Sequence, residues 1–204
     1  MQPVKNIIFD LGGIFLNIAY PKTEKAFIDL GVTNFPTLYT QHFASDIFEL
    51  LETGKITPQE FYAGFRKEAA IDLSDDQIRD AWNAMLLDFP VERIEWLEKI
   101  AVKYKIFLFS NTNKIHYDIF KDIYTQNTGR KDFDQNFIKA YYSHDLGLRK
   151  PYPESFKSIL DEQGLLAEET LFIDDTISNI EGAKKAGLQT IHLVPPKTVL
   201  DLEL

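Results

Sequence analysis

Three apolar runs of this sequence each end in side chains that can do chemistry. Asp10 follows the first run, Ser110 and Asn111 follow the second, and Asp174 and Asp175 follow the third. Continuous apolar runs are typical of strands in a parallel sheet, because helices cover both faces of such a sheet. The carboxyl ends of parallel strands lie along one edge, where ligands bind in open α/β sheets. We therefore expect these side chains to meet at one site.

A basic pair supplies the opposite charge. Arg149 and Lys150 precede Pro151, whose ring restricts the local backbone. Crowded carboxylates repel one another, and such a cluster persists when a cation occupies it. Since neither His nor Cys is near the three aspartates in sequence, the ligands are oxygen atoms, and oxygen ligands favour Mg²⁺. Mg²⁺ and a lysine together offset three carboxylates, which suits a site for an anionic phosphoryl group.

Each motif also has a simpler structural interpretation. The aspartate and the two glycines at residues 10–13 can form an Asx turn, and the polar pairs at 110–111 and 174–175 can cap helices. The pair at 149–150 can be solvated. What favours a shared site is that all of these positions fall at the same edge of one predicted sheet.

The elements that must position these residues fall into two regions. After residue 90, strands alternate with helices, which predicts βαβ units and a mostly parallel sheet. Within that region we predict a helix over residues 115–124 and a loop over 125–135. Residues 17–90 contain capping boxes at Thr57 and Ser74 and no convincing strand, which predicts a helical bundle. The expected domains are an α/β core of residues 1–16 and 91–204 and an inserted helical domain of residues 17–90.

Composition narrows the possible partners and compartment. The chain has 204 residues, a net charge of −9, 45% hydrophobic residues and no cysteine. An acidic chain without a basic run is a poor partner for nucleic acid or an anionic membrane. The lack of cysteine excludes disulfides and thiolate metal sites. No signal peptide pattern or apolar run of about 20 residues is present, so we expect a cytoplasmic protein.

Four ordered motifs resemble those of the haloacid dehalogenase (HAD) superfamily. They are FDLGGI at 9–14, LFSNTN at 108–113, GLRKP at 147–151 and FIDDTISN at 172–179. The residues at 110–113 and 149–151, together with WNAMLL at 82–87, are similar to those of the α-D-glucose-1-phosphate phosphatase branch. The resemblance implies a HAD-like Rossmannoid core, with a parallel sheet flanked by helices, and an inserted helical-bundle cap of the C1 type.

The resemblance also implies a phosphatase that acts on small phosphorylated metabolites, such as a sugar phosphate, through a covalent intermediate. Asp10 would attack phosphorus and form an aspartyl-phosphate, which water then hydrolyses. Ser110 and the main-chain N–H of Asn111 would hold phosphoryl oxygens. Lys150 would neutralise the nucleophile and the transferring group.

The same resemblance implies a Mg²⁺ site and one departure from the family pattern. The metal would be bound by Asp10, the main-chain carbonyl of Gly12 and Asp175. Asp174 would lie at the edge of the metal site in an orienting role. Most phosphatases of this superfamily carry an acid/base aspartate where this chain has Gly12. Such a group contributes roughly 10²–10⁴-fold to the rate.

Two explanations for the missing acid/base group are open. Another group takes the role, the nearest candidates being Asn17, Asp46, Glu49 and His116. Alternatively the substrate has a good leaving group, as an anomeric sugar phosphate or an acyl phosphate does, and we hypothesise this second case.

Two other functions remain as alternatives. A 2-haloacid dehalogenase also lacks the second aspartate and attacks carbon, but its metal-free site would leave Asp174 and Asp175 without a counter-cation. A non-catalytic HAD-like module could have lost turnover together with the acid/base group. Metal dependence separates the first alternative from a phosphatase, and phosphorylation of Asp10 separates the second.

Overall fold

The computed structural model describes residues 3–40 and 43–204. Its strands are β1 (Asn6–Phe9), β2 (Tyr39–Thr40), β3 (Phe43–Ala44), β4 (Lys105–Ser110), β5 (Lys139–Tyr142), β6 (Thr170–Asp174) and β7 (Gln189–His192). Its helices are α1 (Tyr20–Asp29), α2 (Phe35–Leu38), α3 (Asp46–Glu52), α4 (Pro58–Ala69), α5 (Asp75–Asn83), α6 (Val91–Ile100), α7 (Lys114–Thr128), α8 (Ser143–Leu146), α9 (Pro153–Gln163) and α10 (Ile177–Lys185). In the described part of the chain, no helix combines the length and apolarity that crossing a membrane requires.

A five-stranded parallel sheet organises the molecule, with the order β5-β4-β1-β6-β7. The central strand β1 is buried on both faces: Ile7 and Phe9 pack into one apolar cluster and Ile8 into another. Its continuous apolar sequence follows from this double burial. Phe9 lies opposite Leu108 of β4 and Ile173 of β6, so the residues that follow these strands emerge at the same edge. The predicted fold class is confirmed.

The segment inserted after β1 has its own aromatic core. Its buried rings include Phe27, Phe35, Phe48, Phe61, Phe65 and Trp82. The predicted capping boxes at Thr57 and Ser74 begin α4 and α5. The sequence analysis predicted no strand in this segment. The structure differs, because β2 and β3 form an antiparallel pair. Each of these strands has only two residues, which is too short to produce a periodic pattern in the sequence. The division into a core of residues 1–16 and 91–204 and a cap of residues 17–90 stays a prediction.

The two stretches of chain that connect the inserted segment to the α/β core lie side by side. The N–H of Asn17 donates to the Asp88 carbonyl (2.9 Å), and the N–H of Leu87 donates to the Asn17 carbonyl (3.0 Å). Ile18 and Leu86 form an antiparallel bridge next to these bonds, and on its other side the N–H of Ala19 donates to the Met85 carbonyl (2.9 Å). The chain therefore enters and leaves the inserted segment through one hydrogen-bonded ribbon.

Helix α7 is longer than the sequence pattern predicts. The predicted loop over 125–135 is wrong at its start, because the helix continues to Thr128 and ends at Gly129 with φ 68°. Tyr124 is buried in the core, which anchors the last turns. The hydroxyl of Thr128 donates to the Tyr124 carbonyl (2.7 Å), so this polar side chain bonds within the last turn of the helix.

Candidate active site

Three aspartates converge at the carboxyl edge of the sheet. Asp10 follows β1 directly, and its N–H donates to the Ile173 carbonyl of β6 (2.9 Å), which extends the strand pairing by one residue. Asp174 is the last residue of β6, and Asp175 follows it. Carboxylate oxygens from the three aspartates lie within 4.8 Å of one another. The structure thus brings together the acidic residues that the sequence analysis grouped.

Lys150 reaches into this cluster from the loop before α9. Its Nζ lies 2.6 Å from Oδ1 of Asp10 and 2.7 Å from Oδ2 of Asp174, and its side chain is 1% exposed. The rings of Phe109 and Phe172 flank the ammonium at 5.5 and 5.4 Å. Burial by itself would lower the pKa of Lys150, but Asp10 and Asp174 raise that pKa above its usual value. The lysine therefore stays protonated beside the aspartates.

The side chain of Asn111 fixes the main chain of this lysine. Its Nδ2 donates to the Lys150 carbonyl (3.0 Å), and its Oδ1 accepts from the Lys150 N–H (2.9 Å). From the sequence, only the main-chain N–H of Asn111 was expected to matter. These two hydrogen bonds give Asn111 a second role, because they link the end of β4 to the loop that carries Lys150, the lysine loop. Ser110, the other residue of this pair, is buried at the same strand end.

Asp174 is held by donors on every side. It accepts from Lys150, from the N–H of Thr176 (2.7 Å) and from Nδ2 of Asn179 (3.0 Å). Asn179 belongs to the fourth motif but was not assigned a role from the sequence. A carboxylate with this many donors is fixed in position. Asp174 therefore holds the ammonium group of Lys150 in place.

Gly13 makes room for Asp175. Its backbone has φ 74°, and a β-carbon there would stand 2.3 Å from Oδ2 of Asp175. A side chain at residue 13 is therefore excluded by both the backbone conformation and the neighbouring carboxylate.

The charges of this cluster favour a divalent cation. Burial raises the pKa of Asp10, and Asp174 and Asp175 raise it further against the opposing effect of Lys150. Burial and the charge of Asp174 also raise the pKa of Asp175. Like charges in a low-dielectric site repel strongly, and a cation removes this repulsion. Because the ligands are oxygen atoms, the residues present fit Mg²⁺.

Gly12 lies against an apolar side chain. A β-carbon at residue 12 would stand 2.6 Å from Cδ1 of Ile18. Ile18 thus occupies the space next to the backbone where most phosphatases of the superfamily carry their acid/base aspartate.

The four candidates for that missing group are placed very differently. Asn17 is engaged with Asp88 (3.2 Å) and Arg93 (3.1 Å) in the ribbon. Asp46 is exposed, whereas Glu49 and His116 line the cavity over the aspartates.

His116 is a structural link rather than a proton donor. Its Nδ1 lies 2.8 Å from Oδ1 of Asn83, and its ring stacks on Trp82 with 4.6 Å between centroids. Burial lowers the pKa of His116 to about 3. The imidazole is therefore neutral at physiological pH and connects α7 to α5.

A cavity of about 420 Å³ opens above the aspartates. Besides the expected residues, it is lined by Tyr20, Tyr39, Glu52 and Arg149. Burial raises the pKa of Tyr20, and the nearby Asp175 carboxylate raises it further, so the phenol stays protonated. The sequence holds one signal for Glu52: it falls four residues after Phe48, on the apolar face of α3. Burial raises the pKa of Glu52, with Arg149 opposing this effect.

The sheet and the acidic cluster at its edge are those of a Rossmann-like α/β enzyme. The chain belongs to the haloacid dehalogenase-like hydrolase family, which matches residues 7–193. A D-ribitol-5-phosphate phosphatase from Bacteroides thetaiotaomicron is 30% identical over 189 residues, which are 93% of this chain and 91% of the relative. The predicted family is thereby confirmed.

Solved structures show the same architecture. A HAD family enzyme from Bacteroides thetaiotaomicron, crystallised as a variant with magnesium and inorganic phosphate, superposes with a TM-score of 0.88. It shares 33% identity, and the match covers 95% of this chain and 96% of that one. A HAD-like hydrolase from Porphyromonas gingivalis gives a TM-score of 0.83 at 29% identity, over 92% of this chain and 90% of that one.

Proposed function

We propose that this protein is a Mg²⁺-dependent phosphatase that hydrolyses small phosphorylated metabolites through an aspartyl-phosphate on Asp10. The observation that carries the proposal is the placement of Asp10, 2.6 Å from a buried lysine and beside two further aspartates. The family and the phosphatase relative support a phosphoric monoester hydrolase, which is the enzyme class that the motifs predict.

In the proposed reaction, a carboxylate oxygen of Asp10 forms a bond to phosphorus while the bond to the leaving oxygen breaks in line. Water then attacks the aspartyl-phosphate, which releases inorganic phosphate and restores the carboxylate. Lys150 offsets charge on the nucleophile and on the transferring group. Ser110 and the main-chain N–H of Asn111 hold phosphoryl oxygens.

The metal would be held by Asp10, Asp175 and the main-chain carbonyl of Gly12, with Asp174 at its edge. When bound, Mg²⁺ supplies charge that offsets the phosphoryl oxygens. The all-oxygen cluster supports this assignment, and so does the magnesium in the related enzyme from Bacteroides thetaiotaomicron.

We also propose that residues 17–90 form a cap over the site. The cavity supports this, because Tyr20 and Glu52 of the inserted segment line it together with Asp10 and Lys150. A closed cap excludes water from the phosphoryl group and strengthens the electrostatic interactions there.

The absence of a carboxylate at Gly12 bears on the substrate. A leaving group that needs little protonation, such as the anomeric oxygen of a sugar phosphate, would make the second aspartate unnecessary. The phosphatase relative acts on D-ribitol 5-phosphate, whose leaving group is an ordinary alcohol. Both substrate classes therefore belong in the test.

The experiment is a screen of phosphorylated metabolites with and without Mg²⁺, with Asp10→Asn as the inactive partner. We expect phosphate release that needs both the metal and the aspartate, with turnover that rises as the pKa of the leaving group falls. Metal-independent turnover of 2-haloacids would favour a dehalogenase. If beryllofluoride formed no adduct with Asp10 and no phosphoester reacted, the chain would be a non-catalytic module.

A further inference from the structure

The cavity wall contains a buried ion pair that the proposed reaction does not use. Nη2 of Arg149 lies 3.0 Å from Oε2 of Glu52, and Nη1 lies 3.8 Å from Oε2 of the more exposed Glu49. Glu52 is 5% exposed, and the hydroxyl of Tyr39 donates to its carboxylate. We call Glu52 and Arg149 the wall pair.

The wall pair joins the two sides of the cavity. Glu52 is the last residue of α3 in the inserted segment, whereas Arg149 directly precedes Lys150 in the loop of the α/β core. A cavity of about 420 Å³ is in the range of small-metabolite sites, roughly 300–1,000 Å³. A phosphoryl group on Asp10 fills only part of this volume, so the remaining space, which the wall pair borders, is left for the leaving group.

The charges of the wall pair cancel, but its hydrogen-bonding capacity is not exhausted. Oε2 of Glu52 and Nε of Arg149 are both buried and have no hydrogen-bond partner among the residues that the structure describes, so the pair is held by charge and a substrate hydroxyl must insert at it to bind. A hydroxyl can accept from such a donor and donate to a carboxylate in turn. A second anionic group on the substrate would instead face the carboxylates of Glu52 and Glu49, whose charges oppose its pairing with Arg149.

We infer that the wall pair determines specificity: it selects phosphoesters whose leaving group is a neutral polyhydroxyl group and rejects those with a second negative charge. This inference rests on the proposed function. It applies equally to a polyol phosphate and to an anomeric sugar phosphate, since both leaving groups carry hydroxyls and no charge.

The test compares two substrates that differ at one end group. Glycerol 3-phosphate ends in a hydroxymethyl group, whereas 3-phosphoglycerate ends in a carboxylate. With Mg²⁺ present, we expect the wild-type kcat/KM to favour glycerol 3-phosphate by about tenfold or more, which is about 1.4 kcal/mol. In Glu52→Gln, Arg149 is free to pair with the substrate carboxylate, so this preference falls by about tenfold, mainly through a lower KM for 3-phosphoglycerate.

Two controls keep the result specific. Asp72→Asn removes the same charge from an exposed position of the inserted segment and leaves the substrate preference unchanged. Turnover of p-nitrophenyl phosphate, which offers no hydroxyl, is measured in Glu52→Gln to establish that the variant still catalyses phosphate release. Should Glu52→Gln lose the fold in a thermal unfolding experiment, Tyr39→Phe removes one bond to the carboxylate and shifts the preference in the same direction by a smaller factor.

The outcomes separate this inference from the proposed function. An unchanged preference in active Glu52→Gln overturns the role of the wall pair and leaves the phosphatase standing. A loss of kcat that grows with the pKa of the leaving group overturns it as well, because that pattern assigns Glu52 to proton transfer. A wild-type enzyme that hydrolyses no phosphoester contradicts the proposed function itself.

Discussion

The carbonyl oxygen of Pro151 lies 1.9 Å from the point where a β-carbon on Gly182 would stand. At Gly182, helix α10 therefore approaches the main chain of the lysine loop directly. Because α10 follows Asp174 and Asp175 after a short turn, this contact sets the spacing between the aspartates and Lys150. A glycine far from the reacting atoms thus helps to place them.

Gly182→Ala is expected to push the lysine loop away from α10. We predict a loss of stability of about 1–3 kcal/mol and a drop in kcat, because overpacking against main-chain atoms cannot be relieved by a rotamer change. Urea unfolding and steady-state kinetics measure the two effects. Lys185→Ala, an exposed change on the same helix, should alter neither quantity. Unchanged activity in Gly182→Ala would show that the contact does not position Lys150.

Mg²⁺ is expected to stabilise the folded protein through Asp175. At a free concentration one hundred times its dissociation constant, a ligand that binds only the folded state adds about 2.7 kcal/mol. We predict a rise in Tm with Mg²⁺ in the wild type and a much smaller rise in Asp175→Asn. Asp122→Asn removes an exposed charge on α7 and should respond to Mg²⁺ like the wild type. An equal rise in Asp175→Asn would place the ion elsewhere.

An aspartate at residue 12 would need the space that the side chain of Ile18 now occupies. Gly12→Asp alone requires Cδ1 of Ile18, which stands 2.6 Å from the new β-carbon, to rotate away, so we expect only a small loss of stability. We expect the double variant Gly12→Asp, Ile18→Ala to hydrolyse alkyl phosphates up to roughly 10²-fold faster than Ile18→Ala alone. Aryl phosphates, whose leaving groups need no proton, should gain little. An equal effect on both substrate classes would contradict this account of residue 12.

The buried His116 is expected to make stability fall in acid. Its pKa is lowered from 6.5 to about 3 in the folded protein, so the unfolded chain takes up a proton at a higher pH. The stabilisation is complete above pH 6.5 and is lost as the pH falls toward the folded value. At about pH 5.5 the wild type should have lost about 1.4 kcal/mol of unfolding free energy relative to His116→Gln, compared with neutral pH. Urea unfolding at both pH values measures the difference, and a constant difference would mean that the fold does not shift the pKa of His116.

Much of the site could be predicted from the sequence because it depends on strand ends. Asp10, Ser110 and Asp174 each terminate or follow a buried apolar run, and parallel pairing of such runs brings their ends together. Local patterns of this kind are visible in a single sequence. The capping boxes at Thr57 and Ser74 were found for the same reason.

Other features depend on contacts between distant segments, and no local pattern reveals them. The amide of Asn111 binds main-chain atoms of Lys150, 39 residues away. Ile18 fills the space beside Gly12 only because the ribbon holds it there. Glu52 meets Arg149 across the cavity, a pairing that the helical pattern of α3 does not contain.

The hydrogen-bonded ribbon at Asn17 and Leu87 limits how the inserted segment can move. Sliding one crossing past the other, or twisting them apart, would break the paired main-chain bonds, whereas bending both together leaves the bonds intact. The ribbon therefore resists sliding and twisting more than bending, while the stack of His116 on Trp82 ties the helical segment to α7 at a second point. Bending at the ribbon would move Glu52 relative to Arg149, whereas Asp10, Asp174 and Lys150 all lie outside the inserted segment and would keep their contacts.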